Sequence, residues 1–262
     1  MGWYDVREGN PFKQRLAGGD LVVGVFVRMP SLEVVEISGH AGCDFVIIDG
    51  EHAPLGWERI AALVAAAENT GITPLIRVSN GTRDLISKGL DTGAHGIMVP
   101  QIESPQAAAE AVAAATYGPG GTRGTAGNSR TGYGTVMSYA EYVGPANEAK
   151  VVIIQIESVA GVERVEEIAA VQGIDCLFIG LTDLSVNLGV PGEYTHPEVE
   201  KCVTRTIAAA ADHGIAVGVP AVDPEMAKSY IDKGARFVGT GDTGLFGRSV
   251  RSFVEGTRKS NG

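Results

Sequence analysis

The sequence predicts a (β/α)8 barrel, and three observations carry that expectation. Eight short apolar runs alternate with helical stretches at intervals of about 25–30 residues. The clearest runs are apolar at consecutive positions, as strands covered on both faces are. Ionisable residues gather where the runs end, the side on which parallel α/β proteins hold ligands. A doubly wound sheet is the other arrangement that such alternation allows.

In chain order, residues 1–20 read as an amphipathic leading helix stopped by Gly18-Gly19. Residues 21–27 form the first strand, and Ser31 caps a helix running to residue 39. The second strand, Phe45–Asp49, precedes an Ala-rich helix over 56–69. The third strand is 73–78, with its helix over 82–91; the fourth is 95–99, closed by Pro100, with a helix over 104–116. Val151–Ile156 and Cys176–Ile179 are the fifth and sixth, followed by helices over 160–170 and 197–213, the latter after a short helical turn. Residues 215–219 and 236–238 complete the strands, with helices over Pro224–Lys233 and 242–255. No Ser/Pro linker or shift of composition divides the chain, so a single domain over 1–262 is expected. The exception to the alternation is the Gly-rich segment 117–149, read as a long irregular loop on the carboxyl face.

Composition excludes several classes. A net charge of -10 argues against nucleic acid and anionic membranes as partners. The segment Met1-Gly-Trp-Tyr-Asp lacks the features of a signal peptide, and no apolar run is long enough to span a bilayer. Cys43, Cys176 and Cys202 are odd in number, widely spaced and without a zinc pattern, which fits core positions in a reducing cytoplasm.

The chemistry-bearing groups fall at strand ends. The second strand delivers Asp49, Glu51 and His52; a His near an Asp suits a base tuned toward neutral pH, although the same His could cap the next helix. The third ends in Arg77, a cation that a strand of aliphatics tolerates only when it faces an anion. Gln155 and Glu157 share one face of the fifth strand by its period of two, and Gly180, Thr182 and Asp183 follow the sixth. Glu157 and Asp183 beside a neutral amide suit a hard divalent cation, Mg²⁺ or Mn²⁺, with Co²⁺ and Zn²⁺ as further candidates. The structural alternative is that each carboxylate caps a helix. A glycosidase pair is the rival chemistry, and 6% aromatic content leaves it little surface for stacking sugars. An imine mechanism is disfavoured because all seven lysines (Lys13, Lys88, Lys150, Lys201, Lys228, Lys233 and Lys259) fall on helices, loops or the amino ends of strands. Gly239-Thr-Gly-Asp-Thr-Gly244 matches a dinucleotide fingerprint but has too little chain after it for the βαβ unit. As a Gly-rich loop it could still hold an anion, against which Asp242 would act.

The chain resembles the HpcH/HpaI aldolase family of metal-dependent pyruvate aldolases. The resemblance rests on Asp49-Gly-Glu-His52, the strand ending in Arg77, Gly93-Ala-His-Gly-Ile-Met-Val-Pro100, Tyr117-Gly-Pro-Gly-Gly-Thr-Arg-Gly124, Gln155-Ile-Glu157 and Gly180-Leu-Thr-Asp-Leu-Ser185, in that order. It implies Glu157 and Asp183 as metal ligands and Arg77 as the group steadying an enolate oxygen. It also implies His52 paired with Asp49 as the base, Gln155 beside the substrate, and amides near Gly180 and Thr182 for the pyruvate carboxylate. It further implies a hexamer, a trimer of dimers that exchange their last helix. The Gly-rich loop lacks the more apolar, Ala-rich pattern of the family's dicarboxylate-cleaving members; Arg123 and Arg130 on it either bind an acidic or sugar-acid tail of the substrate or brace the loop.

The expected function is reversible cleavage of a 4-hydroxy-2-oxo acid, with sugar-acid and dicarboxylate derivatives as candidates, into pyruvate and an aldehyde. The rivals are an oxaloacetate-condensing or decarboxylating enzyme on the same metal site, as in citrate-synthase-like or macrophomate-synthase-like members, and a barrel that binds without catalysis.

Overall fold

The computed structural model describes residues 5–259. Its strands are β1 (Val22–Val27), β2 (Phe45–Asp49), β3 (Thr73–Arg77), β4 (Gly96–Val99), β5 (Val151–Ile156), β6 (Cys176–Ile179), β7 (Ala216–Pro220) and β8 (Phe237–Gly241). They close into a barrel, each parallel to its neighbours, with β8 paired to β1. The helices are α1 (Pro11–Ala17), α2 (Leu32–His40), α3 (Trp57–Thr70), α4 (Arg83–Asp91), α5 (Pro105–Ala115), α6 (Tyr139–Ala149), α7 (Val159–Glu163), α8 (Val165–Ala169), α9 (Leu181–Asn187), α10 (Pro197–Asp212), α11 (Pro224–Lys233) and α12 (Asp242–Lys259).

The period of two sorts each strand into an inner and an outer row. On β2, Phe45 and Ile47 join the barrel interior, whereas Val46 and Ile48 pack against the helices. Val151 and Ile153 of β5 point inward, and Ile154 and Ile156 point outward. The same alternation carries Asp49, Arg77 and Gln155 onto the inner row at the carboxyl end. The amino end is plugged by aromatic rings: Phe45 stacks on Phe237 at 4.1 Å, and Phe12 of α1 meets both edge-on at 5.8 and 6.2 Å. Burying such a ring contributes roughly 1.5–3 kcal/mol, so the closed end is rigid and the polar end is built on it.

Four expectations need correction. The leading helix is a 3-10 turn (Val6–Glu8) followed by α1, because Asn10 accepts from the Phe12 and Lys13 amides and starts a new helix; residues 1–4 lie outside the described residues. The helix expected over 160–170 is broken at Arg164, where φ -115° and ψ 15° are not helical. β8 continues to Gly241, and α12 reaches Lys259.

The fourth correction concerns 117–149. The segment follows α5, which has already returned the chain to the amino end, so it cannot line the carboxyl face. It also contains a helix: Ser138 and Glu141 form a reciprocal capping box that starts α6, despite Pro145 within it. Arg123 of this segment stacks over Tyr117 at 4.3 Å and donates to Asp91, the last residue of α4, at 2.9 Å. Arg130 lies within 3.7 Å of Glu68 near the end of α3. Both arginines therefore brace the end of the barrel opposite the candidate site.

Among the described residues, no helix is long and apolar enough to cross a membrane. Only Asp242 of α12 is buried, and the helix presents Leu245, Phe246, Val250 and Phe253 to solvent.

Candidate active site

Asp49 and Arg77 are register partners across β2 and β3, so their side chains meet on the inner row. Arg77 Nε donates to Asp49 Oδ1 at 3.0 Å and Nη2 donates to Oδ2 at 2.6 Å. Burial opposes ionisation of Asp49, but the Arg77 fork and the amides of His52 and Glu51 outweigh it and hold the carboxyl below its ordinary value. Arg77 Nη1 also lies 3.2 Å from Glu51 Oε2. Asp49 takes two of the five guanidinium N–H groups, which leaves hydrogens on both terminal nitrogens for a ligand, and Arg77 does line the cavity at the carboxyl end.

His52 lines the same cavity, but its ring is not on Asp49. Asp49 Oδ1 accepts the main-chain N–H of His52 at 3.2 Å, while the ring Nε2 is 3.5 Å from Glu51 Oε2. The expected Asp49–His52 pairing is thus corrected: Asp49 is saturated by Arg77 and the turn amides, and Glu51 is the carboxylate beside the imidazole. Burial pushes the Glu51 carboxyl up, Arg77 pulls it down, and Asp49 and Asp183 add to the rise. Glu51 stands with Asp49 and His52 at the end of the second strand, but the residue order gives no sign that it, and not Asp49, meets the ring.

On the other side, Gln155 and Glu157 do share the inner row. Gln155 Nε2 donates to Glu157 Oε2, and the Gln101 amide donates to Oε1 at 2.8 Å. Gln101 reaches that position with φ 58°, which nothing in the sequence signals for a Gln. Burial raises the Glu157 pKa to about 7; Gln101 and Gln155 oppose the rise, and the charges of Asp183 and Glu51 add to it. Asp183, in the first turn of α9, lines the cavity beside Thr182, whose hydroxyl is 3.3 Å from the Tyr194 hydroxyl. The first-turn amides of α9 have no acceptor within their helix. The Gly180 amide, by contrast, donates to Ile156 O at 2.9 Å, so Gly180 offers space and not a free donor. A Cβ on Gly180 would sit 2.6 Å from Glu157 Cβ and Oε2.

This corner fits a divalent cation. Three carboxylates influence one another there, and Gln155 Oε1 is buried with no hydrogen-bond partner. A cation would relieve the repulsion and use oxygen donors. Among the described residues no group of three or more His, Cys, Asp or Glu side chains is placed to hold a metal ion, so the two carboxylates would act with Gln155 and not as a full protein cage. Glu157 and Asp183 would therefore leave positions for water and substrate, as Mg²⁺ sites do.

His52, Arg77, Gln155, Gly180, Thr182 and Asp183 all line one cavity of about 590 Å³, with Glu157 and Asp49 immediately beneath. Arg123 and Arg130 are not part of it. Arg28 and Arg248, which the sequence reading did not single out, are.

The family model of HpcH/HpaI aldolase/citrate lyase matches residues 22–248. The chain is 33% identical to a 5-keto-4-deoxy-D-glucarate aldolase of Shigella boydii, covering 95% of this chain and 97% of that protein. It is 37% identical to a 2-keto-3-deoxy-L-rhamnonate aldolase of Klebsiella pneumoniae, covering 92% and 90%. A crystal structure of a family protein from Burkholderia cenocepacia superposes with a TM-score of 0.90 at 36% identity, covering 95% of this chain and 99% of that one. The chain belongs to the HpcH/HpaI aldolase/citrate lyase family.

Proposed function

We propose that the protein is a metal-dependent class II aldolase that reversibly cleaves a 4-hydroxy-2-oxo acid into pyruvate and an aldehyde. The observation that carries the reading is the placing of Arg77 and Asp183 on one cavity with Glu157 immediately beneath, where burial, and then the charges of Asp183 and Glu51, leave Glu157 only partly ionised near neutral pH. The aldolases among its relatives support it.

A divalent ion at Glu157 and Asp183, Mg²⁺ or Mn²⁺ first and Co²⁺ or Zn²⁺ after them, would supply Lewis-acid stabilisation of charge on the 2-oxo group. The chain's own residues do the rest. The first-turn amides at Thr182 and Asp183 receive the pyruvate carboxylate, in the space left by Gly180. Gln155 lies beside the 2-oxo group. The hydrogens that Arg77 retains face the 2-oxo oxygen, and Asp49 fixes the guanidinium before charge develops. His52, with Glu51 beside it, removes the proton from the C4 hydroxyl. The C3–C4 bond then breaks, its electron pair moves toward the 2-oxo oxygen, and a proton returned to C3 completes pyruvate.

The same reading places the enzyme in the cytoplasm, where its three cysteines stay as free thiols. It assembles as a hexamer, a trimer of dimers in which α12 crosses to a second copy. The exposed Phe246 and Phe253 support that crossing, since a lone helix does not keep large apolar residues in water without a partner.

The test is a screen in both directions. Purified protein with Mg²⁺ or Mn²⁺ is expected to condense pyruvate with short aldehydes and to release pyruvate from the products, losing both activities to a chelator. Turnover of oxaloacetate with no aldol activity would replace the reading by the condensing or decarboxylating one. No turnover of either would leave a binding barrel.

A further inference from the structure

The cavity has a second polar end that the cleavage chemistry does not use. β1 and β8 are neighbours in the closed sheet, and their carboxyl ends carry Arg28 and the segment 239–248 on the far side of the mouth from β5 and β6. The two are tied together: Asp242 Oδ2 accepts the amides of Arg28 and Met29, both at 2.9 Å, and Oδ1 accepts that of Thr243. Asp242 therefore turns its charge onto the backbone. Thr240 and Thr243 also line this end.

The charge here runs against that of the whole molecule. The chain carries a net charge of -10 and the far corner of the cavity is acidic, yet the described residues that line it from β1, β8 and α12 include Arg28 and Arg248 and no acid. Arg77 is accounted for by Asp49. Arg28 approaches Asp49, which Arg77 already engages, no closer than 3.7 Å, and donates through Nη2 to the His52 carbonyl at 3.5 Å, so no carboxylate is committed to it. Arg248 has no ion pair or hydrogen bond among the described residues. Its guanidinium folds back along α12, as long helical side chains do, and lies over Gly244, where an added Cβ would stand 3.2 Å from Nη1. Two guanidinium groups held at a mouth without their own carboxylates fit an anion presented by the ligand.

We propose that Arg28 and Arg248 form a distal anion subsite, so that the aldehyde formed or consumed carries a terminal carboxylate or phosphate. The proposal rests on the functional reading above and specifies its acceptor. It gives the role of gripping an acidic tail to Arg28 and Arg248 in place of Arg123 and Arg130.

Calorimetric titration of the Mg²⁺-loaded protein tests it without turnover. The probes are 2-oxoglutarate and 2-oxoadipate, each against the monoacid of equal length (2-oxopentanoate and 2-oxohexanoate), with 2-oxo-4-phosphonobutanoate as the phosphate arm. The second anion is expected to tighten binding at least tenfold, and the better of carboxylate and phosphate names the group. Arg248→Gln and Arg28→Gln are each expected to remove most of that gain while changing the affinity of the monoacids less than twofold. Gly244→Ala, which crowds the Arg248 guanidinium, falls between. Equal affinity for diacids and monoacids, or equal losses for both in the variants, would overturn the subsite and leave the aldolase reading standing. Binding of none of the 2-oxo acids would overturn both. Where a variant does not fold, the wild-type ratio decides.

Discussion

Asp49 and Arg77 face each other in register across β2 and β3 and are joined by two parallel hydrogen bonds of 3.0 and 2.6 Å, with the carboxylate fully buried. The pair gives the Arg77 guanidinium a fixed direction before any ligand arrives. Phe26 adds to this, with its ring centroid 5.3 Å from the guanidinium carbon.

Removing one partner of such a pair strands the other. Asp49→Asn is expected to cost about 3–5 kcal/mol of stability, measured by urea denaturation, and to lower kcat by misaligning Arg77. Arg77→Lys keeps the charge but loses the fork; its kcat/KM is expected to fall at least a hundredfold, about 3 kcal/mol of transition-state stabilisation. A kcat within threefold of wild type for Arg77→Lys would remove Arg77 from the enolate-stabilising role.

Gly180→Ala places a methyl 2.6 Å from Glu157. Glu157 has to move, so Mn²⁺ affinity, read by electron paramagnetic resonance, is expected to drop about tenfold or more, equivalent to roughly 1.4 kcal/mol. Unchanged affinity would show that Glu157 is not a ligand.

The raised pKa of Glu157, about 7, makes metal binding a competition with protons. Apparent affinity is expected to be flat above neutrality and to weaken as pH falls through 7, by up to about tenfold per unit. In the metal-free protein the folded carboxyl binds its proton more tightly than the unfolded one, whose ordinary value is 4.5. This group's contribution to stability is therefore present below 4.5 and lost as pH rises through about 7. Glu157→Gln is expected to abolish the pH dependence of metal affinity together with most of the affinity.

His95 gives the opposite slope. It is buried at the amino end of β4, and burial lowers its pKa to about 4 even though Glu68, 3.1 Å from Nε2, acts to raise it. The folded state binds a proton less readily than the unfolded one, so stability falls as pH drops from about 6.5 toward 4. The loss is of order 3 kcal/mol at the full extent. Thermal melts of wild type and His95→Gln across that window check it; identical slopes would mean that another group carries the acid sensitivity.

Arg123→Ala is expected to lower stability by roughly 2–4 kcal/mol, since the side chain is buried between Tyr117 and Asp91. It should not change KM for any aldehyde. A KM effect that depends on an acidic tail would restore Arg123 to the substrate.

Most of the barrel was legible because its clearest strands are uninterrupted apolar runs, as 45–48 and 151–154 are, and the rest follow at the same interval. Arg77 and Gln155 stood out because a polar residue on an inner row needs a reason. The errors have equally local causes. Segment 117–149 was assigned to the wrong end by counting from its strand and not from α5, and Gly144-Pro145 hid a helix that Ser138 and Glu141 start. The His52 ring was assigned to Asp49 because sequence spacing says nothing about which group, ring or amide, a carboxylate receives. Gln101 depends on a left-handed backbone, and Arg248 on a side chain folded back along its helix; neither leaves a trace in residue order.

Proton exchange of pyruvate tests the central claim most directly. The methyl signal is followed by NMR in D₂O with protein stripped by a chelator, then with Mn²⁺ or Mg²⁺ restored, and beside it Glu157→Gln and His52→Ala. The account predicts exchange only with metal, little in Glu157→Gln, and slowed exchange with metal binding intact in His52→Ala. No exchange with any divalent metal would contradict it and remove pyruvate as the nucleophile.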